Sequence, residues 1–135
     1  MASNFWQNKK VFVTGHTGFK GGWLCLLLEQ LGAELSGFSL GPPTTPNLFE
    51  AARVASGMRS ILGDLRDLNT LKSVLSETQP HIIIHMAAQP IVAKSYEDPV
   101  ETFTTNVIGS VNILEASRSI PSVAAIVNIT TDKCY

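Results

Sequence analysis

Short apolar runs alternate along the chain with longer segments in which apolar residues recur every three or four positions. The apolar runs predict five β-strands, at residues 10–14, 34–40, 59–63, 81–86 and 123–129. The fourth run is almost wholly apolar, which is typical of a central parallel strand that is covered on both faces. The intervening segments predict helices at residues 18–31, 47–56, 68–77 and 99–118.

The helical spacing also predicts which face of each helix is buried. The stripe of the first helix comprises Leu24, Leu27, Leu28 and Leu31. The third helix has a stripe of Leu68, Leu71 and Leu75, and the fourth has one of Val100, Phe103, Val107, Val111 and Leu114. Gly32 predicts the end of the first helix, and Asp67 and Pro99 predict the starts of the third and fourth. We expect each stripe to pack against a sheet.

Strands that alternate with helices predict right-handed crossovers and a parallel sheet with helices on both faces. The expected fold is therefore α/β, a Rossmann-like doubly wound parallel sheet of five strands in the order 3-2-1-4-5. The last strand is apolar, and no later segment is available to cover it. An exposed apolar edge is a liability in a finished protein. We therefore expect residues 1–135 to be the N-terminal portion of a dinucleotide-binding domain in a longer protein, with the sheet truncated after its fifth strand.

Composition narrows the class of protein. The chain has 135 residues and a net charge of -1, with 44% hydrophobic and 16% charged residues. These values favour a folded globular domain and argue against nucleic-acid or membrane-surface binding. No apolar run approaches the length of a membrane span, and the polar start does not resemble a signal peptide. Two cysteines, Cys25 and Cys134, give neither a disulfide framework nor a metal site, so we expect a cytoplasmic protein without a metal.

A glycine-rich segment lies between the first strand and the first helix. Gly15, Gly18 and Gly21 are spaced as GxxGxxG. In this position they predict a tight turn, a close approach of a pyrophosphate to backbone N–H groups, and close packing of the helix on the sheet. The predicted cofactor-binding residues here are Gly15, Thr17, Gly18, Phe19, Lys20 and Gly21. Lys20 either faces solvent or contacts a phosphate, and His16 is expected to be a loop residue rather than a base.

The sequence distinguishes less clearly between NAD and NADP as the cofactor. A dinucleotide site usually has an acidic residue at the end of the second strand, but this strand ends at Ser39 without one. The next cation along the chain is Arg53, so a 2′-phosphate would lack an obvious partner. NAD is therefore favoured, and NADP stays open. After the third strand, Asp64 is predicted to accept a hydrogen bond from the adenine amino group and Leu65 to pack on the ring.

Several segments together carry a resemblance to a known family. They are the glycine loop, Asp64-Leu65, residues 85–89 (HMAAQ), residues 105–109 (TNVIG) and Thr131-Asp132-Lys133. Together they resemble the extended short-chain dehydrogenase/reductases, and among these the nucleotide-sugar 4,6-dehydratases. The resemblance spans the whole chain. It implies cofactor contacts from Ala87, Ala88, Gln89 and Asn106, while His85, on an apolar strand, is expected to be a core histidine.

The resemblance also implies a reaction in deoxysugar biosynthesis. The sugar C4 hydroxyl is oxidised, water is eliminated across C5 and C6, and hydride returns to C6. Thr131 would hydrogen-bond the C4 oxygen and Asp132 would protonate the departing hydroxyl. Lys133 stands where related dehydratases carry a glutamate, and it would act either as the C5 base or as a stabiliser of enolate charge.

The family's active-site Tyr-x-x-x-Lys pair is expected beyond residue 135, so this chain alone should not turn over substrate. The partner implied is a small nucleotide sugar. The whole protein is expected to be a homodimer or a higher homo-oligomer, with Thr104, Ile108, Asn112 and Glu115 on the pairing face of the long helix. Two other interpretations remain: another extended family member, such as an epimerase or a different dehydratase, or a non-catalytic NAD-sensing module.

Overall fold

The computed structural model describes residues 4–131. Its strands are β1 (Lys10–Thr14), β2 (Glu34–Ser39), β3 (Arg59–Leu62), β4 (Ile82–His85) and β5 (Ala125–Asn128). Its α-helices are α1 (Phe19–Gln30), α2 (Leu48–Ala51), α3 (Leu68–Thr78), α4 (Val92–Glu97), α5 (Pro99–Phe103) and α6 (Gly109–Ser117). Two short 3₁₀ segments, Asn4–Trp6 and Val54–Gly57, and a π-helical segment, Thr104–Ile108, complete the elements.

All five strands form one parallel sheet in the order β3-β2-β1-β4-β5, which confirms the predicted topology. The order reverses at β1, because β2 and β4 lie on its two sides. In such a sheet the connections leave opposite faces from neighbouring strands, which opens a crevice at the carboxyl ends of β1 and β4. The glycine loop follows β1 at this point, so the topology positions it at the expected binding crevice.

The core has one layer on each face of the sheet, because successive strand side chains point to opposite faces. Phe12 of β1 packs with the α3 and α6 residues Leu75 and Ile113 on one face. Its neighbours in sequence, Val11 and Val13, pack with the α1 side of the molecule on the other. Both clusters consist of fully or nearly fully buried side chains, so the sheet is covered on both faces around β1 and β4.

Helix α1 packs through a different face from the predicted one. Leu27, assigned to the buried stripe, is 54% exposed, while Cys25 and Leu28 are buried. The reason lies at the start of the helix, where Gly21 and Gly22 are buried and have no side chain to hold the helix away from the sheet. Close approach there turns the face of Gly21, Cys25 and Leu28 inward and leaves the predicted leucine face only partly covered.

The long helix is the main error of the sequence prediction. One helix over residues 99–118 was expected, and the structure has α5, a π-helical segment and α6 in succession. The predicted core stripe is exposed at all five positions: Val100, Phe103, Val107, Val111 and Leu114. The face that packs inward instead contains Asn112, Ile113 and Ala116. Because Asn112 is buried, its expected place on an outward pairing face is also wrong.

Smaller differences concern the connecting segments. The single helix expected over residues 47–56 is two short pieces, α2 and a 3₁₀ segment, separated by Arg53 in the left-handed region at φ 50°. Helix α4 was not predicted, because its apolar side chains Val92 and Tyr96 are exposed and give no inward stripe. The helix starts at Asp67 and Pro99, the end of α1 before Gly32 and the inward face of α3 are confirmed.

Candidate cofactor-binding site

The glycine loop is built around two positions that no larger residue can occupy without a clash. Gly15 has φ +80°, and a Cβ there would lie 2.9 Å from the backbone nitrogen of Ala87. A Cβ at Gly21 would collide with the carbonyl oxygen of Gly15. These two glycines therefore let the loop fold back between α1 and the chain after β4. They confirm the turn and the close helix packing that the spacing predicts.

Gly18 has a different role from its two neighbours in the motif. A Cβ at Gly18 would meet only the Gly15 carbonyl oxygen, at an ordinary 3.4 Å, so the space above it is otherwise open. Gly18 is the N-cap of α1 and makes no side-chain cap, so the first-turn N–H groups of this twelve-residue helix lack a capping acceptor. An open surface of N–H donors at the positive end of a helix fits an anionic pyrophosphate.

The side chains that follow Gly18 extend outward. Phe19 is 70% exposed and Lys20 is exposed. Their backbone N–H groups lie in the first turn of α1, where a phosphate would be held. The exposure of Lys20 is compatible with both of its predicted roles, so the choice between solvent and phosphate stays open.

Thr14, at the end of β1, is a hydrogen-bonding centre that the sequence analysis did not identify. Its hydroxyl oxygen accepts from the backbone N–H groups of Met86 at 3.0 Å and Ala87 at 3.1 Å. Its own proton is then directed to Nδ1 of His85, 2.6 Å away. Thr14 thereby fixes the start of the segment after β4 against the glycine loop. The contact joins residues about seventy positions apart, which no local motif could reveal.

His85 continues this network as a neutral core histidine, as predicted. It is 3% exposed, and burial lowers its pKa. Because Nδ1 accepts from Thr14, the proton lies on Nε2, which donates to the hydroxyl of Ser110 at 3.1 Å. Ser110 in turn donates to the carbonyl oxygen of Asn106 at 2.6 Å. The network therefore connects β1 and β4 to the helical segment that carries Asn106.

Asn106 holds the segment after β4 by its backbone. Its Oδ1 accepts from the N–H of Gln89 at 2.7 Å, and its Nδ2 donates to the carbonyl oxygen of Gln89 at 3.1 Å. The Gln89 side chain is engaged as well, with the backbone of Ile91 and the hydroxyl of Thr102. Ala87 and Ala88 precede this clamp with only methyl side chains. The Asn106 side chain therefore fixes the backbone of this segment, and its contact with the cofactor stays a prediction.

The segment after β3 presents a carboxylate that is already partnered. Arg66 binds Asp64 through its backbone N–H and its guanidinium, with N···O distances of 2.6–3.0 Å. The hydrogen bonds from Arg66 hold the pKa of Asp64 below its ordinary value. Leu65 is 5% exposed and its side chain lies in the core, where Asn112 donates to its carbonyl oxygen at 2.8 Å. Packing of Leu65 on an adenine ring stays a prediction.

At the end of β2, two hydroxyl groups stand where an acid is usual. Thr17 and Ser39 are 3% and 9% exposed, and their oxygens lie 2.7 Å apart. Both also lie within hydrogen-bonding distance of the carbonyl oxygen of Leu40. The two hydroxyl groups have two protons for these three contacts, so both protons are used inside the protein. Toward a ligand, the lone pairs left on the hydroxyl oxygens can only accept. This arrangement suits a ribose hydroxyl that donates a proton.

His16 lies in the loop, as expected, but it is completely buried. Its Nε2 lies 2.7 Å from the hydroxyl of Ser60, and its ring meets Phe49 edge-on at 5.5 Å. A Cβ on Gly37 would overlap the imidazole, so this glycine makes room for it. Its Nδ1 is buried without a hydrogen-bond partner, and burial lowers its pKa to about 4. His16 therefore joins the glycine loop to β3 as a neutral side chain.

The predicted catalytic segment follows β5, beside β4 in the sheet. His85 pairs with Asn128 in the parallel register, so the chain leaves β5 at the same edge as the segment 87–89. Thr131 is exposed there. Asp132 and Lys133 lie outside the described residues, and so does Cys134. In the part of the chain that is described, no cluster of three or more His, Cys, Asp or Glu side chains is placed to hold a metal ion.

None of the helices within residues 4–131 combines the length and the apolar composition needed to cross a membrane. Trp23 on α1 is 54% exposed and lies one turn before Leu27 on the outer face of the helix.

Known proteins share this architecture and sequence. A CDP-glucose 4,6-dehydratase of Salmonella typhimurium is 53% identical over 98% of this chain, which spans 37% of that relative's length. The UDP-glucose 4-epimerase of Brucella ovis in complex with NAD has a TM-score of 0.71 at 27% identity, covering 84% of this chain and 33% of that structure. The UDP-glucose 4-epimerase of Bifidobacterium longum in complex with NAD⁺ and UDP matches the fold with a TM-score of 0.80 at 22% identity, over 92% of this chain and 37% of that structure.

A family model provides the assignment. The model described as GDP-mannose 4,6 dehydratase matches residues 12–135, which include the glycine loop, the clamp at Asn106 and the segment after β5. The chain therefore belongs to the GDP-mannose 4,6 dehydratase family.

Proposed function

We propose that the protein containing this chain is an NAD-dependent dehydratase that converts CDP-glucose to CDP-4-dehydro-6-deoxyglucose. The observation that carries the proposal is the 53% identity to a CDP-glucose 4,6-dehydratase over 98% of the chain. The glycine loop supports it independently, because Gly15 and Gly21 form a close turn while the surface above Gly18 stays open. This chain contributes the cofactor-binding half of the site.

The chain's residues divide the binding of the dinucleotide among them. The first turn of α1 would hold the pyrophosphate through backbone N–H groups. Thr17 and Ser39 would accept from the adenosine ribose, and Asp64 from the adenine amino group. The methyl side chains of Ala87 and Ala88 leave the backbone beside the Asn106 clamp open to the nicotinamide end.

NAD is proposed over NADP on the basis of charge and proton count. Both protons of the Thr17–Ser39 pair are used internally, so the pair offers no donor to a phosphate. Lys20 is the exposed cation that could offset this. We expect NAD to bind at least about tenfold more tightly than NADP, as the loss of one charge-assisted hydrogen bond would produce. Calorimetry with both nucleotides tests this, and equal affinities would refute it.

The chemical step is assigned to the segment after β5. The first turn of α1 and the segment after β4 would hold NAD, which would supply the hydride chemistry needed at C4 and C6 of the sugar. Thr131 would donate to the C4 oxygen, and Asp132 would protonate the departing C6 hydroxyl. That role requires a carboxyl pKa raised by burial near the sugar. Lys133 would serve at C5, either as the base after desolvation lowers its pKa or as a stabiliser of enolate charge.

Incubation of the whole protein with CDP-glucose and NAD tests the proposal. The expected product is the 4-keto-6-deoxy sugar, identified by mass and NMR, with much slower turnover of UDP-glucose and GDP-mannose. A product with inverted C4 and no loss of water would indicate an epimerase. Tight NAD binding without turnover of any nucleotide sugar would indicate a sensing module.

The proposal extends to a homodimer. Helices α5 and α6 and the π-helical segment expose an apolar face comprising Val100, Phe103, Val107, Val111 and Leu114. Apolar patches of this kind usually mark an interaction surface. A second copy of the same helix would cover it by two-fold symmetry. Light scattering should report a dimer of the whole protein, and Phe103→Asp should shift it toward monomer; a monomeric wild type would contradict the assembly.

A further inference from the structure

The arginine two residues after Asp64 does more than neutralise it. Arg66 donates to Oδ1 from its backbone nitrogen at 2.9 Å and from Nε at 3.0 Å. It donates to Oδ2 from Nε at 2.9 Å and from Nη2 at 2.6 Å. A side chain held by a planar fork and by its neighbour's backbone has one orientation available, whereas a lone surface aspartate has several.

Counting lone pairs shows what this arrangement leaves for a ligand. An ionised carboxylate offers about four acceptor positions. The backbone N–H lies against Oδ1, Nη2 lies against Oδ2, and the single Nε proton is shared between the two oxygens. Three protons thus serve four acceptor positions, so the carboxylate can accept one further hydrogen bond. A single directed acceptor can distinguish a ligand N–H from a ligand carbonyl oxygen, because the latter would face a negative charge.

The guanidinium also lies in the field of two further carboxylates. Arg66 lines a cleft of about 460 Å³ together with Asp98 and Glu101. The charges of these two carboxylates, after that of Asp64, help to raise the pKa of Arg66. Glu101 is tied to Lys94, with an N···O distance of 3.1 Å. The loop after β3 is thus linked electrostatically, through Arg66, to the start of α5.

We propose that Arg66 is a positioning residue for base recognition, which orients the Asp64 carboxylate so that its remaining lone pair accepts the adenine amino group. This inference rests on the proposed function, since it takes the ligand to be an adenine dinucleotide. Arg66 contributes little to folding, because an exposed ion pair, here 41% and 32% exposed, has a small effect on stability. Its effect is on which base the site accepts.

The test compares NAD with nicotinamide hypoxanthine dinucleotide, in which a carbonyl oxygen replaces the adenine amino group. Affinities are measured by calorimetry on the whole protein after removal of co-purified nucleotide. The wild type should prefer NAD by about tenfold, the value of one hydrogen bond to a charged group. Arg66→Met keeps the length of the side chain but removes the fork, and it should lower the preference to about threefold or less. Arg66→Lys should lower it equally, because a point charge does not fix the carboxylate.

Three further variants separate positioning from other effects. In an Asp64→Ala background the preference should be lost, and adding Arg66→Met should change it no further, since the two residues act as one unit. Arg59→Met is the matched control, because Arg59 forms an exposed pair with Glu77 at the other end of the sheet. It should leave both affinities unchanged.

The alternative outcomes have distinct meanings. If Arg66→Met weakened both dinucleotides equally, Arg66 would contact the ligand by stacking or charge, and the positioning role would be overturned while the cofactor proposal stood. Full discrimination in Arg66→Lys would also overturn it, by showing that charge alone suffices. Equal wild-type affinities would remove the acceptor role of Asp64 and this inference with it. Failure to bind NAD at all would refute the proposed function itself.

Discussion

Moderate acid should destabilise the protein through one imidazole, that of His16. The ring is completely buried, it meets Phe49 edge-on, and its Nδ1 has no hydrogen-bond partner. Protonation would place a charge beside an aromatic ring and the β-sheet, where no carboxylate is described as a hydrogen-bonding partner. The folded state therefore favours the neutral imidazole of His16.

The size of the effect follows from the two pKa values. Burial lowers the pKa of His16 from 6.5 to about 4, so the unfolded chain binds this proton at a higher pH than the folded chain. The stabilisation by neutral His16 is thus fully present above pH 6.5 and is lost as the pH falls toward 4. With about 1.4 kcal/mol per pH unit, the loss between about pH 7 and pH 5 is roughly 2 kcal/mol. That is a large share of the ~5–15 kcal/mol that stabilises a typical protein.

Urea unfolding followed by tryptophan fluorescence, at both pH values, measures this loss. His16→Gln removes the titrating group. Between about pH 7 and pH 5, the free energy of unfolding of the variant should therefore drop by roughly 2 kcal/mol less than that of the wild type. His85, whose pKa burial also lowers, contributes equally to both proteins and cancels. Ser60→Ala is the control, because it removes the partner of Nε2 but keeps the imidazole, and its pH dependence should match the wild type. Identical pH dependence in wild type and His16→Gln would refute the assignment of a buried neutral histidine.

Four further substitutions test the site. Gly18→Ala should fold normally, because its Cβ meets only one atom at 3.4 Å, yet calorimetry should show NAD affinity reduced about tenfold or more. Gly21→Ala should lower the free energy of unfolding by the roughly 1–3 kcal/mol that overpacking costs, which is measured as a lower melting temperature. Asn106→Leu should weaken NAD binding and speed amide exchange at Gln89, because it removes the acceptor of the Gln89 N–H, whereas unchanged exchange would contradict the clamp. Asp132→Asn in the whole protein should slow dehydration of CDP-glucose by about 10²–10⁴-fold, measured as product formed, and wild-type turnover would remove Asp132 from the mechanism.

The sheet was predictable because its signals are local. Each strand is a short apolar run, and the near-complete apolarity of β4 identifies it as central before any contact is known. The order of strands then follows the doubly wound pattern of sheets that bind dinucleotides after their first strand. The glycine loop was predictable for a similar reason, since Gly15 and Gly21 serve a turn and a close packing that depend on sequence spacing.

The contacts that complete the site were not predictable in this way. The bonds of Thr14 to His85 and of His16 to Ser60 join residues far apart in sequence, and they exist only once the strands lie side by side. Hydroxyls of Thr14 and Ser110 resemble any other polar residues in a sequence. The fork of Arg66 on Asp64 is local, but its geometry depends on the turn that follows β3.

The misassigned helix faces have a physical meaning of their own. Periodicity detects an apolar stripe, but it does not say what the stripe packs against. On α5 and α6 the stripe that includes Phe103 and Val107 is exposed, while the sheet-facing side relies on smaller or polar residues such as Gly109 and Asn112. Gly109 admits Leu65, Asn112 bonds the backbone of the same residue, and Ile113 packs in the core, so this inner face is specified by fit as well as by hydrophobicity. A helix with one closely fitted face and one apolar face is suited to lie between its own sheet and a second surface, which is the position that the proposed dimer would give it.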